Sequence, residues 1–304
     1  MNLYRAYGLN IASERALPLR PAPPGAKPDL TIDYAGPAPA ERPSGPDRRD
    51  LSVTDAGWTL RYDNREGGWM AFDYSSAGRR LQLSGSVDWE AFEGPLSGVV
   101  WGLLLRLGGA TLLHGAGVGF GDRAIAILGA SGHGKSTLAG ALIALGAAPL
   151  TEDLLLLRLE PDGVRVEPGA PSLHLLDDAY RHLAPHLPAE PARASGDGKV
   201  RLMPGGDAAP ARLRAIYVLD PPGSGAGTSL ERLSGPSAVG ALAEHLYGSR
   251  WIRPAGDEDL AFCARLSREV PIFALSRPWT LDGVLETANR LQSHALGEST
   301  SQTP

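Results

Sequence analysis

The sequence predicts a mixed α/β chain with a small β-rich domain over residues 1–92, an α/β domain over 93–296 and a disordered tail over 297–304. Three observations point there. Up to residue 92 the apolar runs are short and punctuated by Gly, Pro, Asn and Asp, the pattern of strands and turns. Residues 123–146, RAIAILGASGHGKSTLAGALIALG, read as a buried strand, a glycine-rich loop and a helix in direct succession. After residue 211, strand-like runs occur among segments of helical periodicity. With 304 residues, 43% of them hydrophobic, the chain can form one large or two modest domains with a real core.

Taken in order, LYRAYGLNIAS, DLTIDYAG, LSVTDAGWTLRYD, GWMAFDYS and RRLQLSGSVDW supply the strands of the first domain, joined through the Pro-rich stretches LPLRPAPPGAKP and GPAPAERPSGPDRR. GPLSGVVWGLLLRLGG (94–109) reads as one apolar helix leading into the second domain. TLLHGAGVGFGDRAIAILG reads as a hairpin that turns at Gly121-Asp122. The next helix sets Leu138, Leu142, Ile143 and Leu145 at helical spacing and stops at Gly146. AAPLTEDLLLLRLE gives one or two strands around an acidic pair, and residues 161–210, rich in Gly and Pro, read mainly as loop. ARLRAIYVLDPP and PIFAL read as strands; SAVGALAEHLY, DEDLAFCARLSREV and LDGVLETANRLQSH read as helices. Cys263, the single cysteine, reads as a buried helix residue and excludes both a disulfide framework and a Cys-based zinc site.

The loop GASGHGKST (129–137) fits G-x-x-x-x-G-K-[ST] through Gly129, Gly134, Lys135 and Ser136. Glycine is abundant here, at 38 residues, but the only lysines are Lys27, Lys135 and Lys199, so a lysine at that position is informative. In this setting the backbone of Gly129, Ala130, Ser131, Gly132, His133, Gly134, Lys135, Ser136 and Thr137 would cradle phosphates at the positive end of a helix. Lys135 would reach the outer phosphates and the Ser136 hydroxyl would sit on Mg²⁺, which makes ATP and Mg²⁺ the expected bound groups. The same residues could also form a glycine-capped helix start with no ligand. His114 lies on the strand before the loop, and Glu152 and Asp153 end the strand after its helix, where their carboxylates would approach bound phosphates. Phosphoryl transfer needs one carboxylate on the metal, and a second carboxylate or a His to take the proton of the attacking hydroxyl. Neighbours on a strand face opposite sides, so Glu152 and Asp153 cannot share one role. On spacing alone His114 reads equally as a core histidine, and Glu152-Asp153 also reads as a solvated strand end.

The stretch LLHGAGVGFGDRAIAILGASGHGKSTLAGALIALGAAPLTEDLLLL resembles the C-terminal domain of the HPr kinase/phosphorylase family: a His on the preceding hairpin, a P-loop, and an acidic pair on the next strand. More broadly, through YRAYGLNIASERALPLR, GAPSLHLLDDAYRHL, DGKVRLMP and VPIFALSRPWTLDGV, the chain resembles the divergent HPr-kinase-related proteins associated with lasso peptide biosynthesis. The resemblance implies a kinase core with a mixed sheet like that of phosphoenolpyruvate carboxykinase. It implies that Lys135 and the loop amides bind the β- and γ-phosphates of ATP and that Ser136 holds Mg²⁺. By the same resemblance Glu152 stands where the family has an Asp acting as base, Asp153 where it has a second Asp near the metal, and His114 where a His assists at the reaction centre. Glu152 is one methylene longer than the family's Asp. The downstream Glu-containing signature of true HPr kinase/phosphorylases is absent. That absence points away from HPr as acceptor, and the lasso-associated resemblance implies instead the C-terminal Ser of a precursor peptide.

A net charge of −5 and a pI of about 5.8 give no general basic surface for nucleic acid, and no apolar run reaches the ~18 residues that would span a bilayer. A soluble, cytoplasmic protein is expected; a homo-oligomer is left open. A small-molecule kinase on the same core, and a nucleotide-binding regulator or ATPase, are the alternatives to a peptide kinase. LSGPS (233–237) follows the Asp-ended strand AIYVLD, the reverse of the order an ABC-type ATPase requires. Lys199, Arg201 and Arg277 read either as contacts to nucleotide or acceptor or as solvated and structural charges, and Trp279 reads as packing.

Overall fold

The computed structural model describes residues 1–37, 49–63, 68–188, 193–194, 198–203, 208–223, 225 and 227–297. The tail expected over 297–304 lies outside the described residues from 298 onward. The chain is mixed α/β and divides into two compact units, Met1–Val100 and Trp101–Pro304. The sequence reading draws its boundary at residue 92.

The first unit is one mixed sheet built from β1 (Asn2–Ala6), β2 (Leu9–Ser13), β3 (Arg20–Pro21), β4 (Leu30–Pro37), β5 (Arg49–Thr54), β6 (Gly57–Asp63), β7 (Trp69–Ser75) and β8 (Arg80–Gly85). Their order is β3-β1-β2-β4-β8-β7-β6-β5, with the β2–β4 and β4–β8 pairs parallel. The β1–β2 turn is tight: Tyr7 and Gly8 both take positive φ (53° and 78°), the twist a two-residue hairpin requires. A 3₁₀ turn at Trp89–Phe92 puts Phe92 edge-on to Phe72, with ring centroids 5.5 Å apart.

The apolar segment 94–109 is not one helix. It forms α1 (Glu93–Ser97) and α2 (Val99–Leu107), split at Gly98, whose φ of −139° and ψ of −83° leave the helical region. Helical periodicity survives such a break, which is why the sequence reading runs through it.

The second unit holds β9 (Leu112–Phe120), β10 (Arg123–Leu128), α3 (Lys135–Ala144), β11 (Ala148–Thr151), β12 (Leu154–Glu160), β13 (Gly163–Val166), β14 (Leu173–Leu176), α4 (Asp177–Leu183), β15 (Arg193–Ala194), β16 (Lys199–Leu202), β17 (Ala211–Leu219), β18 (Ser229–Leu233), α5 (Gly235–Glu244), α6 (Asp257–Glu269), β19 (Ile272–Ser276) and α7 (Val284–Leu296). β9 and β10 form the expected hairpin, with Phe120 paired to Arg123. The main sheet is mixed: β10 runs parallel to β17 and β17 parallel to β19, while β10–β9, β9–β12, β12–β13 and β13–β17 are antiparallel and close a circuit of pairings.

Alternation along β10 shows how the sheet is buried on both faces. Ile125 and Ile127 join a core with Leu138 and Leu142 of α3 and Leu291 of α7. Ala124, Ala126 and Leu128 face a second core with Leu242 of α5 and Cys263 and Leu266 of α6. Cys263 is the buried helix residue expected, and burial pushes its thiol up to about 11. Among the described residues no helix is long and apolar enough to cross a membrane.

The segment 161–210, read mainly as loop, contains β13 and α4 and a separate three-stranded antiparallel sheet ordered β14-β16-β15. Strands of two to four residues among Gly and Pro show too few alternations to be recognised from sequence.

Candidate active site

The loop 129–137 leaves the end of β10 and enters α3. Gly132 (φ 82°) and Gly134 (φ 79°) are both left-handed, which only glycine adopts freely. A Cβ on Gly134 would run into Nη2 of Arg277, which donates 3.0 Å to the His133 carbonyl, and would touch the Trp279 ring. The Arg277 guanidinium lies over that ring, 4.8 Å from its centroid. Arg277 and Trp279 therefore brace the loop from behind. On the β17 side, Nδ1–H of His133 donates to the Leu219 carbonyl at 3.3 Å.

Lys135, 8% exposed, folds its ammonium back onto the loop, donating to the carbonyls of Gly129 (2.8 Å) and Ala130 (3.2 Å). Burial lowers its pKa; Asp153 and Glu152 oppose that, and Lys199 adds to it. The three charged groups thus sit within electrostatic reach of this ammonium.

Glu152 and Asp153 do not continue one strand. They form the bend between β11 and β12, and Asp153 takes φ 63°, a conformation that Asp tolerates better than most residues. The expectation of neighbours on alternating strand faces therefore does not apply. The bend turns the Asp153 carbonyl toward β9, where it accepts from Nδ1–H of His114 (3.1 Å) and from the Gly115 amide (3.3 Å). Asp153 itself is exposed.

Glu152 is 7% exposed. Its Oε2 accepts from the His174 amide (2.9 Å) and from Nδ1–H of His174 (2.8 Å), whereas its buried Oε1 has no hydrogen-bond partner. Burial raises the Glu152 pKa; the His174 bonds and the nearby Ser136 hydroxyl act against this, and Asp153 acts with it. His114 is pushed the other way for a base: burial first, then Lys135, lower its pKa and favour the neutral ring. With Nδ1–H on a carbonyl, neutral His114 carries its lone pair on Nε2.

Two histidines join the site without having been singled out in the sequence. His174, at the second position of β14, grips Glu152 from 22 residues downstream; LHLL carries no signal for that. His245 follows α5, and its carbonyl accepts from the His114 amide at 2.7 Å. Burial, then Lys135, His114 and His133, push His245 down to about 4. The structure thus brings Lys135, Ser136, Glu152, Asp153 and His114 to the end of the sheet where the loop lies. It places Arg277 and Trp279 against the loop itself, and Lys199 within electrostatic reach of Lys135. Among the described residues no cluster of three or more His, Cys, Asp or Glu side chains could hold a metal. The Ser136 hydroxyl and the Glu152 carboxylate lie near each other, with Asp153 beside them.

No protein-family model and no curated protein sequence matches the chain. Among solved structures it is similar to the HPr(Ser) kinase/phosphatase from Coxiella burnetii, at 11% identity and a TM-score of 0.34, over 61% of this chain and 97% of that one. At that level the likeness says nothing about activity.

Proposed function

We propose that this chain is an ATP- and Mg²⁺-dependent phosphotransferase that moves the γ-phosphate to a hydroxyl, and that the acceptor is the C-terminal Ser of a lasso precursor peptide. The observation that carries the reading is the buried, unpartnered Oε1 of Glu152 beside Ser136 and a P-loop lysine. A buried carboxylate oxygen without a donor is costly unless a ligand completes it. The loop also fits a polyphosphate: two left-handed glycines shape it, and the first-turn amides of α3 have no partner within their own helix.

Lys135 and the backbone of residues 129–137 would hold the phosphates of ATP, with Ser136 and Asp153 on the metal. Bound there, ATP·Mg²⁺ supplies the transferable group and the charge that offsets its oxygens. Glu152 takes the proton of the acceptor hydroxyl at Oε1, since Oε2 is already committed to His174. Burial makes this carboxylate a stronger base than a solvated one. His114 assists as a neutral imidazole. A chain-terminal hydroxyl suits a buried base because it is less hindered than one within a chain.

Incubation with ATP, Mg²⁺ and a precursor peptide ending in Ser should yield a phosphopeptide by mass spectrometry, and the same peptide ending in Ala should not react. Phosphorylation of the Ala-ended peptide at an internal residue would overturn the acceptor. Turnover on a free sugar or amino acid, with none on such peptides, would make the chain a small-molecule kinase.

A further inference from the structure

The three-stranded sheet sets a row of basic side chains beside Glu152 that the phosphotransferase reading leaves unused. In the β14–β16 register His174 pairs with Arg201 and Leu176 with Lys199. Directly paired residues share a face, as do residues two apart on one strand, so His174, Lys199 and Arg201 project from the same side. The opposite side is fixed by Leu173, Leu175 and Leu202, all buried in the core over α3. Slipping the register by one residue would turn those leucines outward, so the basic face is held in place. At one end of the row, His174 touches Glu152 at 2.8 Å. At the other stands Lys199, within electrostatic reach of Lys135. Two of the chain's three lysines therefore meet at this site, in a protein of net charge −5. Glu152 and Asp153 offset part of this charge at Lys135, and an oxyanion drawn to the basic row would add to that.

We propose that His174, Lys199 and Arg201 form an oxyanion subsite for the acceptor, which binds a carboxylate or phosphate carried by the same molecule as the reacting hydroxyl. The inference rests on the phosphotransferase reading. The row starts at Glu152, the group assigned to the acceptor hydroxyl, and that contact is what assigns it to the acceptor. Arg201 supplies the planar fork that matches a carboxylate or phosphate, and Lys199 a point charge.

The test uses the full chain saturated with the non-hydrolysable nucleotide AMP-PNP and Mg²⁺. Inorganic phosphate, N-acetylserine and N-acetylserinamide are then titrated by calorimetry. At least one anion should bind saturably and the neutral serinamide should not; phosphate alone marks a phosphorylated acceptor, N-acetylserine alone a carboxylate. In the Lys199→Met/Arg201→Gln double variant, anion affinity should fall at least about tenfold, with AMP-PNP affinity changed less than about threefold. Lys199→Met alone carries the test if the double variant does not fold. No saturable anion binding by the wild type, or binding unaltered by the substitutions, overturns the subsite. So does an equal loss of AMP-PNP affinity, which would assign the residues to the nucleotide. Failure of AMP-PNP to bind the wild type would instead sink the phosphotransferase reading, and the same titrations without nucleotide would then decide the subsite.

Discussion

At Glu152, burial and hydrogen bonding pull in opposite directions. Burial favours the protonated carboxyl, the His174 bonds favour the carboxylate, and the net effect is a raised pKa. A base must be ionised, so transfer should rise with pH through a value above the ordinary carboxylate range. Glu152→Gln should keep nucleotide affinity within a few-fold and lower the transfer rate at least about 10²-fold in a phosphate-release or mass-spectrometric assay. Full turnover by Glu152→Gln, with His114→Ala inactive, would make His114 the base. Stability runs the opposite way. Folded Glu152 holds its proton more tightly than the unfolded chain does, so stability falls as pH rises from the unfolded pKa through the folded one. Urea unfolding should therefore show Glu152→Gln gaining on the wild type as pH rises above the ordinary carboxylate value of 4.5. A gap that narrows would contradict the raised pKa.

At the scale of elements, the loop 129–137 is held by contacts that glycine makes possible. Gly134→Ala places a Cβ against Arg277 in a left-handed conformation and should cost about 1–3 kcal/mol in thermal unfolding as well as weakening nucleotide binding. An unchanged melting temperature would show that Arg277 simply moves aside. The strand, loop and α3 were legible in the sequence because each has its own period and Gly146, at φ 95°, stops the helix. The β9–β10 hairpin was legible from its Gly-Asp turn. The three-stranded sheet was not, since its strands are too short to alternate visibly, and with it the partnership of His174 with Glu152 stayed hidden. The acidic pair was recognised but its geometry was not: a left-handed Asp153 leaves no trace in a period-two pattern.

At the scale of the second unit, Arg106 of α2 and Asp259 of α6 form a fully buried bidentate pair, with Nη2 to Oδ2 at 2.6 Å and further donors from Thr111 and the Gly256 amide. The Arg106 bonds hold the Asp259 carboxyl well below the usual range. Its contribution to stability is therefore present above the ordinary carboxylate pKa and is lost only as pH falls through that depressed value. Asp259→Ala strands a buried guanidinium and should cost about 3–5 kcal/mol in urea unfolding at pH 7; a loss under about 1 kcal/mol would show that the pair is replaceable. Nothing in the sequence joins residues 153 apart, so this tie between helices was not foreseeable.

On the proposed function, residues 129–137 bind a nucleotide polyphosphate through Lys135. The most direct test of that binding is calorimetric titration of ATP·Mg²⁺ onto the wild type and onto Lys135→Ala, with melting curves confirming that both are folded. The wild type should bind saturably and the variant about 30- to 150-fold more weakly, the loss of a charge-assisted phosphate contact of about 2–3 kcal/mol. Equal affinity in the two proteins, or no binding by the wild type, would contradict it.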